Sequence, residues 1–207
     1  MTMKGNTYTI IYSAVLALVC ASLLTLASVS LKPYQEANRK AKEQRTILRA
    51  LGVKVPDYAG AEQLLEIYNR NVGETTVAGR TAYVYNHPSE GKVTAFRFAG
   101  PGLWGPIEGL LALKADMRTI YRMAIYKQEE TPGLGGNIEN EEFQGLFRGK
   151  QIVSPQGKAA LDITLPGQAH AVNQVNGISG ATLTGDKLEQ VINKLIADIA
   201  AVEATGA

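Results

Sequence analysis

Residues 178–202 read ISGATLTGDKLEQVINKLIADIAAV, and the two parts of this stretch obey different rules. From about Asp186 onward, Leu188, Val191, Ile192, Leu195 and Ile199 recur at helical spacing, the clearest amphipathic period outside the apolar N-terminus. Such a stripe predicts a helix packed on a sheet. The preceding run, Ser179 to Gly185, is small and glycine-rich, and it leads into the helix where free N–H groups and the positive dipole end meet. It has two readings: a segment that holds a phosphate, or a plain strand-to-helix connection whose threonine caps the helix.

Upstream, the pattern is that of strands. Residues 81–86 (TAYVYN), 92–98 (KVTAFRF) and 119–126 (TIYRMAIY) are short, β-branched and aromatic, and HPSEG at 87–91 has turn chemistry. Residues 160–165 alternate Leu161, Ile163 and Leu165 with Asp162 and Thr164, as a half-buried strand does. Residues 33–51 are rich in helix formers, with Pro33 suited to a helix start and Gly52 to its end. A second short helix is predicted over 59–72, with Leu64, Leu65 and Tyr68 on one face. The predicted fold class is α+β: helices flanking a mixed or antiparallel sheet in one domain.

No charged residue occurs from Gly5 to Leu31, a run of about 27 residues that reaches about 40 Å as a helix and so spans a bilayer with tilt. A cleaved signal peptide is the rival reading, because Ser28-Val29-Ser30 is small-x-small, but the run is too long for a signal's apolar region. The expected organisation is an N-terminal tail (1–7), a transmembrane helix (8–31), a juxtamembrane helix and linker (32–58) and one domain (59–207).

Composition narrows the chemistry. A formal net charge of +2 over 207 residues, with lysines and glutamates interspersed, provides no basic stripe for nucleic acid. The one cysteine, Cys20, lies in the apolar run, so neither a disulfide nor a thiolate-held metal centre is expected. Redox chemistry would need an organic cofactor.

Three glycine-rich segments are candidates for holding one: GPGLWGP (100–106), EETPGLGG (129–136) and SGATLTG (179–185). Each carries more glycine than a plain hairpin requires, and glycine lets backbone amides approach a ligand closely. The second also reads as a Pro-Gly turn, and Trp104 as a core aromatic. His87 and His170 have no carboxylate or nucleophile at a telling spacing and are expected to be ordinary hydrogen-bonded or surface residues.

In combination these segments, with the apolar run and LKPYQEANRKAKEQRTIL after it, GPGLWGPIEGLLALKAD, EETPGLGGNIENEEFQGLFRGK and ISGATLTG, resemble the C subunits of the bacterial Na⁺-translocating NADH:quinone reductases. The G subunit of the Rnf complex is the next relative. The resemblance implies a flavoprotein with FMN attached through a phosphoester to Thr182 by a flavin transferase, and no metal. It also implies that Ser179, Gly180, Ala181, Leu183 and Thr184 surround the phosphate. By the same correspondence, Glu130, Thr131, Leu134 and Gly135 border the ring or shape its pocket, with Trp104 and Lys150 as neighbours. Ring packing by Trp104 and Leu134 and charge stabilisation of the reduced ring by Lys150 are the expected roles. Residues 59–207 would then be an FMN-binding domain.

Two positions depart from the family pattern. Asn176 stands where the family has an aspartate six residues before the esterified threonine, and Gln128 stands where it has a histidine. The resemblance further implies a one-electron carrier in a six-subunit inner-membrane complex, with NADH, quinone and sodium handled by partner subunits. The alternatives are an Rnf-type subunit and a membrane-tethered assembly module without flavin. The family places the domain in the periplasm. Lys32, Arg39, Lys40, Lys42 and Arg45 follow the span while Lys4 alone precedes it, so the positive-inside rule argues for the cytoplasm.

Overall fold

The computed structural model describes residues 3–77, 79–155, 157–158 and 160–203. Helices α1 (Met3–Leu51) and α2 (Ala61–Asn71) come first, followed by strands β1 (Gly73–Val77), β2 (Arg80–His87), β3 (Gly91–Pro101), β4 (Pro106–Leu113) and β5 (Ile120–Lys127). A short 3-10 helix (Gly135–Glu139), helix α3 (Glu141–Gly145), strands β6 (Asp162–Thr164) and β7 (Gln174–Asn176) and helix α4 (Thr182–Glu203) complete the order. The chain divides into two units between Lys42 and Glu43.

In the first unit, α1 carries an apolar stretch long enough to cross a membrane, none of it buried. Two of its hydroxyls are satisfied internally: Ser22 and Thr25 donate to the carbonyls of Leu18 and Ala21 at 2.8 Å, which removes two donors that lipid cannot satisfy. The helix predicted to begin at Pro33 does not begin there. Pro33 lies inside α1, where it deprives the Val29 carbonyl of its helical partner at a cost of about 3 kcal/mol. The apolar run on one side and the helix formers on the other give the chain no reason to stop.

In the second unit, β1 to β5 pair in sequence order, every pair antiparallel. The α+β class is borne out, with the main sheet antiparallel. β6 and β7 pair separately and in parallel. The central strands are buried on both faces. On one face, Phe96, Phe98, Ile107, Leu111 and Met123 join Leu188, Ile192, Leu195, Ile196 and Ile199 of α4 in one apolar core. The predicted stripe of α4 is fully used. On the other face, Tyr83, Val93, Ala95 and Leu110 are buried, as are Ile47, Leu48 and Leu51 at the end of α1 and Leu64 of α2. Leu65, predicted to share the face of Leu64, is exposed.

Close approach of α4 to β3 depends on one small residue. A Cβ on Gly100 would lie 2.4 Å from Val191 Cγ2, so the helix seats where β3 has no side chain. This seating sets the start of α4 beside the turn that follows Gly100.

Candidate cofactor site

The glycine-rich segment at 100–106 is the tip of the β3–β4 hairpin, with Pro101 opposite Pro106 and a Gly102 N–H to Gly105 C=O bond of 2.8 Å. The segment forms a hairpin although it carries more glycine than a plain one requires. The extra glycine serves the tip's surroundings, because a Cβ on Gly102 would stand 2.4 Å from Glu130 Oε1 and one on Gly105 2.6 Å from Glu129 Cβ. The second glycine-rich segment therefore lies directly under the tip.

Glu130 is 5% exposed, and both its carboxylate oxygens are engaged. Oε1 accepts the backbone N–H groups of Leu103 (2.7 Å) and Trp104 (3.2 Å), and Oε2 accepts the hydroxyl of Thr184 (2.7 Å). A buried carboxylate is tolerated only with such donors. Its own N–H donates to Gln128 Oε1 at 2.7 Å, and Gln128 Nε2 in turn reaches Glu139. Gln128 thus supports the Glu130 loop from outside. Gly135 completes the fit: a Cβ there would lie 2.4 Å from Thr184 Oγ1.

The third segment closes the site. Gly180 has φ +76°, a conformation glycine adopts readily, and from there the chain turns into α4. The first helical bond runs from Gly185 N–H to Ala181 C=O at 2.9 Å. The N–H groups of Thr182, Leu183 and Thr184 precede that bond and have no partner within the helix, which makes an anion-favouring end. Thr184 is buried and bonded to Glu130, whereas Thr182 is exposed and its hydroxyl has no partner among the described residues.

Together these segments line a cavity of about 420 Å³: Leu103, Trp104, Glu130, Thr131, Leu134, Gly135 and residues 180–184. Its rim is apolar and open, with Trp104 71% and Leu183 61% exposed, and Leu103 and Leu134 nearly half exposed. Trp104 is no core aromatic. The structure brings Trp104, Glu130, Thr131, Leu134, Gly135, Gly180, Ala181, Thr182, Leu183 and Thr184 to one place, with Ser179 exposed just outside it. Lys150 is not brought there. Its carbonyl accepts Ile120 N–H at 2.8 Å, at the far end of β5 and about 23 Å along the strand from Lys127. The expected charge stabilisation by Lys150 has no geometric basis within this chain. Leu103 was absent from the expected residues; its position beside Trp104 in a glycine-rich segment was the available signal.

The two departures from the family pattern are both supporting positions. Asn176 Oδ1 accepts Ala169 N–H at 3.0 Å, a bond that a carboxylate oxygen makes equally well. His87 Nδ1 accepts the N–H groups of Ser89 and Glu90 at 3.3 Å within its own turn, and His170 is exposed.

Buried polar floor, apolar rim and anion-favouring helix start describe a site for a flat, apolar ring that carries a phosphate. Residues 102–197, which hold all of these features, match the FMN-binding domain family. Across most of its length the chain is similar to proteins named as the C subunit of the Na(+)-translocating NADH-quinone reductase. The identity is 27% to that of Pseudomonas aeruginosa, over 92% of this chain and 91% of the relative. To that of Haemophilus ducreyi it is 29%, over 82% of this chain and 81% of the relative. The crystal structure of the C subunit from Parabacteroides distasonis matches with a TM-score of 0.70 at 25% identity, covering 82% of this chain and 95% of that one. The resemblance read from the sequence is borne out: over most of its length this chain is similar to proteins named as C subunits.

Proposed function

We propose that this chain is a one-electron-carrying flavoprotein subunit of a membrane Na⁺-pumping NADH:quinone oxidoreductase, with FMN joined through its phosphate to Thr182. The observation that carries the reading is the contrast between the two threonines in the cavity: Thr184 gives its hydroxyl to Glu130, and Thr182 keeps its own open at the first position of α4. The similarity to proteins named as C subunits supports the quinone-reductase assignment over the Rnf-type alternative.

The donor set fits the group. The N–H groups of Leu183 and Thr184 would receive phosphate oxygens next to the ester, and Leu103, Trp104, Leu134 and Leu183 offer apolar surface to the ring. Glycines 102, 135 and 180 let the three segments pack closely around Glu130, Thr184 and Leu134. Bound FMN would supply redox chemistry at its ring, and the surrounding residues would tune it and exclude water. Both oxygens of Glu130 are engaged by donors of this chain, which gives it a structural part. Within the complex the chain would receive and pass electrons among partner subunits, after modification by a flavin transferase. We place its membrane helix at residues 8–31 and the domain in the periplasm. The basic residues after the span would then act against the orientation, and partner subunits would set it.

Intact mass of the full-length chain, purified from cells containing the transferase, tests the attachment. The wild type and Thr184→Ser are expected to carry one FMN-phosphoryl increment and Thr182→Ala none. An increment that survives Thr182→Ala would overturn the ester assignment. Activity of a cytoplasm-restricted reporter fused to the C-terminus would overturn the periplasmic one.

A further inference from the structure

Glu130 is the one buried carboxylate among the described residues of the core, and neither ring packing nor phosphate binding requires a charge there. It joins two elements that have no other hydrogen bond to each other in the cavity wall. Leu103 and Trp104 belong to the hairpin tip, and Thr184 belongs to the first turn of α4. We propose that Glu130 is a positioning residue for the cofactor: it fixes the Leu103-Trp104 wall against the helix start and, by holding Thr184 inward, leaves Thr182 as the hydroxyl the cavity presents. The proposal rests on the function proposed above for what it positions, but the brace is a property of the chain alone.

The geometry supports a brace over a filler. All three donors converge on one side chain at 2.7 to 3.2 Å, and Gln128 holds the backbone of the same residue from the opposite side at 2.7 Å. Two glycines face this carboxylate, Gly102 and Gly135, and a Cβ on either would come within 2.4 Å and 3.0 Å of its oxygens. The space around the carboxylate is therefore closed on both sides. Meanwhile the Trp104 ring is mostly exposed, so little apolar packing holds it, and its position depends on the backbone bonds that Glu130 accepts. Shortening the side chain releases both walls together, and removing the hydroxyl releases only the helix side.

The chain contains a single tryptophan, Trp104, so its fluorescence reports this wall and nothing else. The experiment uses the full-length protein in detergent micelles, made with and without the flavin transferase. Glu130→Ala, Glu130→Gln and Thr184→Val are compared, each first checked for a cooperative melt. In the flavin-free protein, Glu130→Ala is expected to raise acrylamide quenching of Trp104 and the amplitude of its fast anisotropy decay about twofold. Glu130→Gln, which keeps an acceptor for the two amides, should restore both toward wild type. Thr184→Val, which leaves the amide bonds in place and serves if Glu130→Ala fails to fold, should leave Trp104 restrained. In cells with the transferase, Glu130→Ala and Thr184→Val are both expected to lower the attached FMN fraction by about tenfold, the scale of one buried polar group left unpaired. A folded Glu130→Ala with unchanged Trp104 signals would overturn the brace, as would a Thr184→Val protein that attaches FMN normally. A wild type that carries no FMN while Glu130→Ala still loosens Trp104 would overturn the function proposed above and leave the brace standing.

Discussion

The two ends of α4 each border a cavity, and they differ in what lines it. At the start of the helix, backbone N–H groups, two threonines and a buried carboxylate converge under an apolar rim. At the other end, a cavity of about 260 Å³ lies among Met117, Ile152, Val153, Ile196, Ile199 and Ala200, with Arg118 and Gly157 beside them. Among the described residues, the second offers an apolar wall and one charged side chain, Arg118, in place of the carboxylate, hydroxyls and helix-start amides of the first. A ligand site needs the convergent groups, because volume alone fixes neither orientation nor identity. The dipole of α4 adds to the contrast, favouring an anion at Thr182 and opposing one at the far end.

Four substitutions test whether the two ends are as independent as this contrast implies. The largest effect is expected from Ile196→Ala, which empties a fully buried site in the core beside the far cavity. It should cost about 3 kcal/mol in denaturant unfolding while the folded protein keeps its attached FMN. Loss of attachment in folded Ile196→Ala protein would mean the ends are coupled through the helix.

Next is Gly102→Ala, which pushes a methyl group toward Glu130 Oε1 and the Gly105 carbonyl. About 2 kcal/mol of destabilisation is expected, and here attachment should fall with it. Normal attachment would show that the hairpin tip yields without disturbing the site.

Asn176→Asp is a smaller change, since either side chain accepts the Ala169 N–H. Its thermal midpoint should stay within the equivalent of about 0.5 kcal/mol of wild type. The attached fraction should rise if the transferase reads an acid six residues before Thr182, and an unchanged fraction would remove Asn176 as a weakness of the site.

The smallest effect concerns Glu189, two turns into α4. Burial pushes its carboxyl above the ordinary glutamate value, the Ile163 N–H bond works against that shift, and the nearby charges of Asp162 and Asp186 add to it. The folded state therefore holds this proton more tightly than the unfolded chain does. The resulting penalty is absent below the ordinary value, grows as pH rises through it, and is complete above the raised one. Glu189→Gln should melt slightly higher than wild type at pH 7, with the difference vanishing below about pH 4. A difference independent of pH would assign the effect to packing.

Much of this fold could be read from local pattern. The apolar run, the stripe of α4 and the strands β2, β3 and β5 were legible because each has a period or composition of its own. β4 was missed although its residues are among the most buried in the chain, because a strand covered on both faces reads PIEGLLAL, with no alternation to mark it. β1 and β7 were missed for the opposite reason: GETTV and QVN are short and polar, and only pairing makes them strands.

For the site, the sequence by itself determined the materials: three glycine-rich segments, a helix start with hydroxyls on it, and a family resemblance that named a threonine. Local spacing treats Thr182 and Thr184 alike, since both sit in the first turn of α4. Only the tertiary structure separates them. The seating of α4 on Gly100 and the closure of the hairpin tip over Glu130 turn one hydroxyl toward a buried carboxylate and leave the other open. The same packing sends Lys150, which the resemblance had counted as a neighbour, to the opposite end of β5. Such assignments depend on contacts between residues 27 to 54 positions apart, a separation at which no local period carries information.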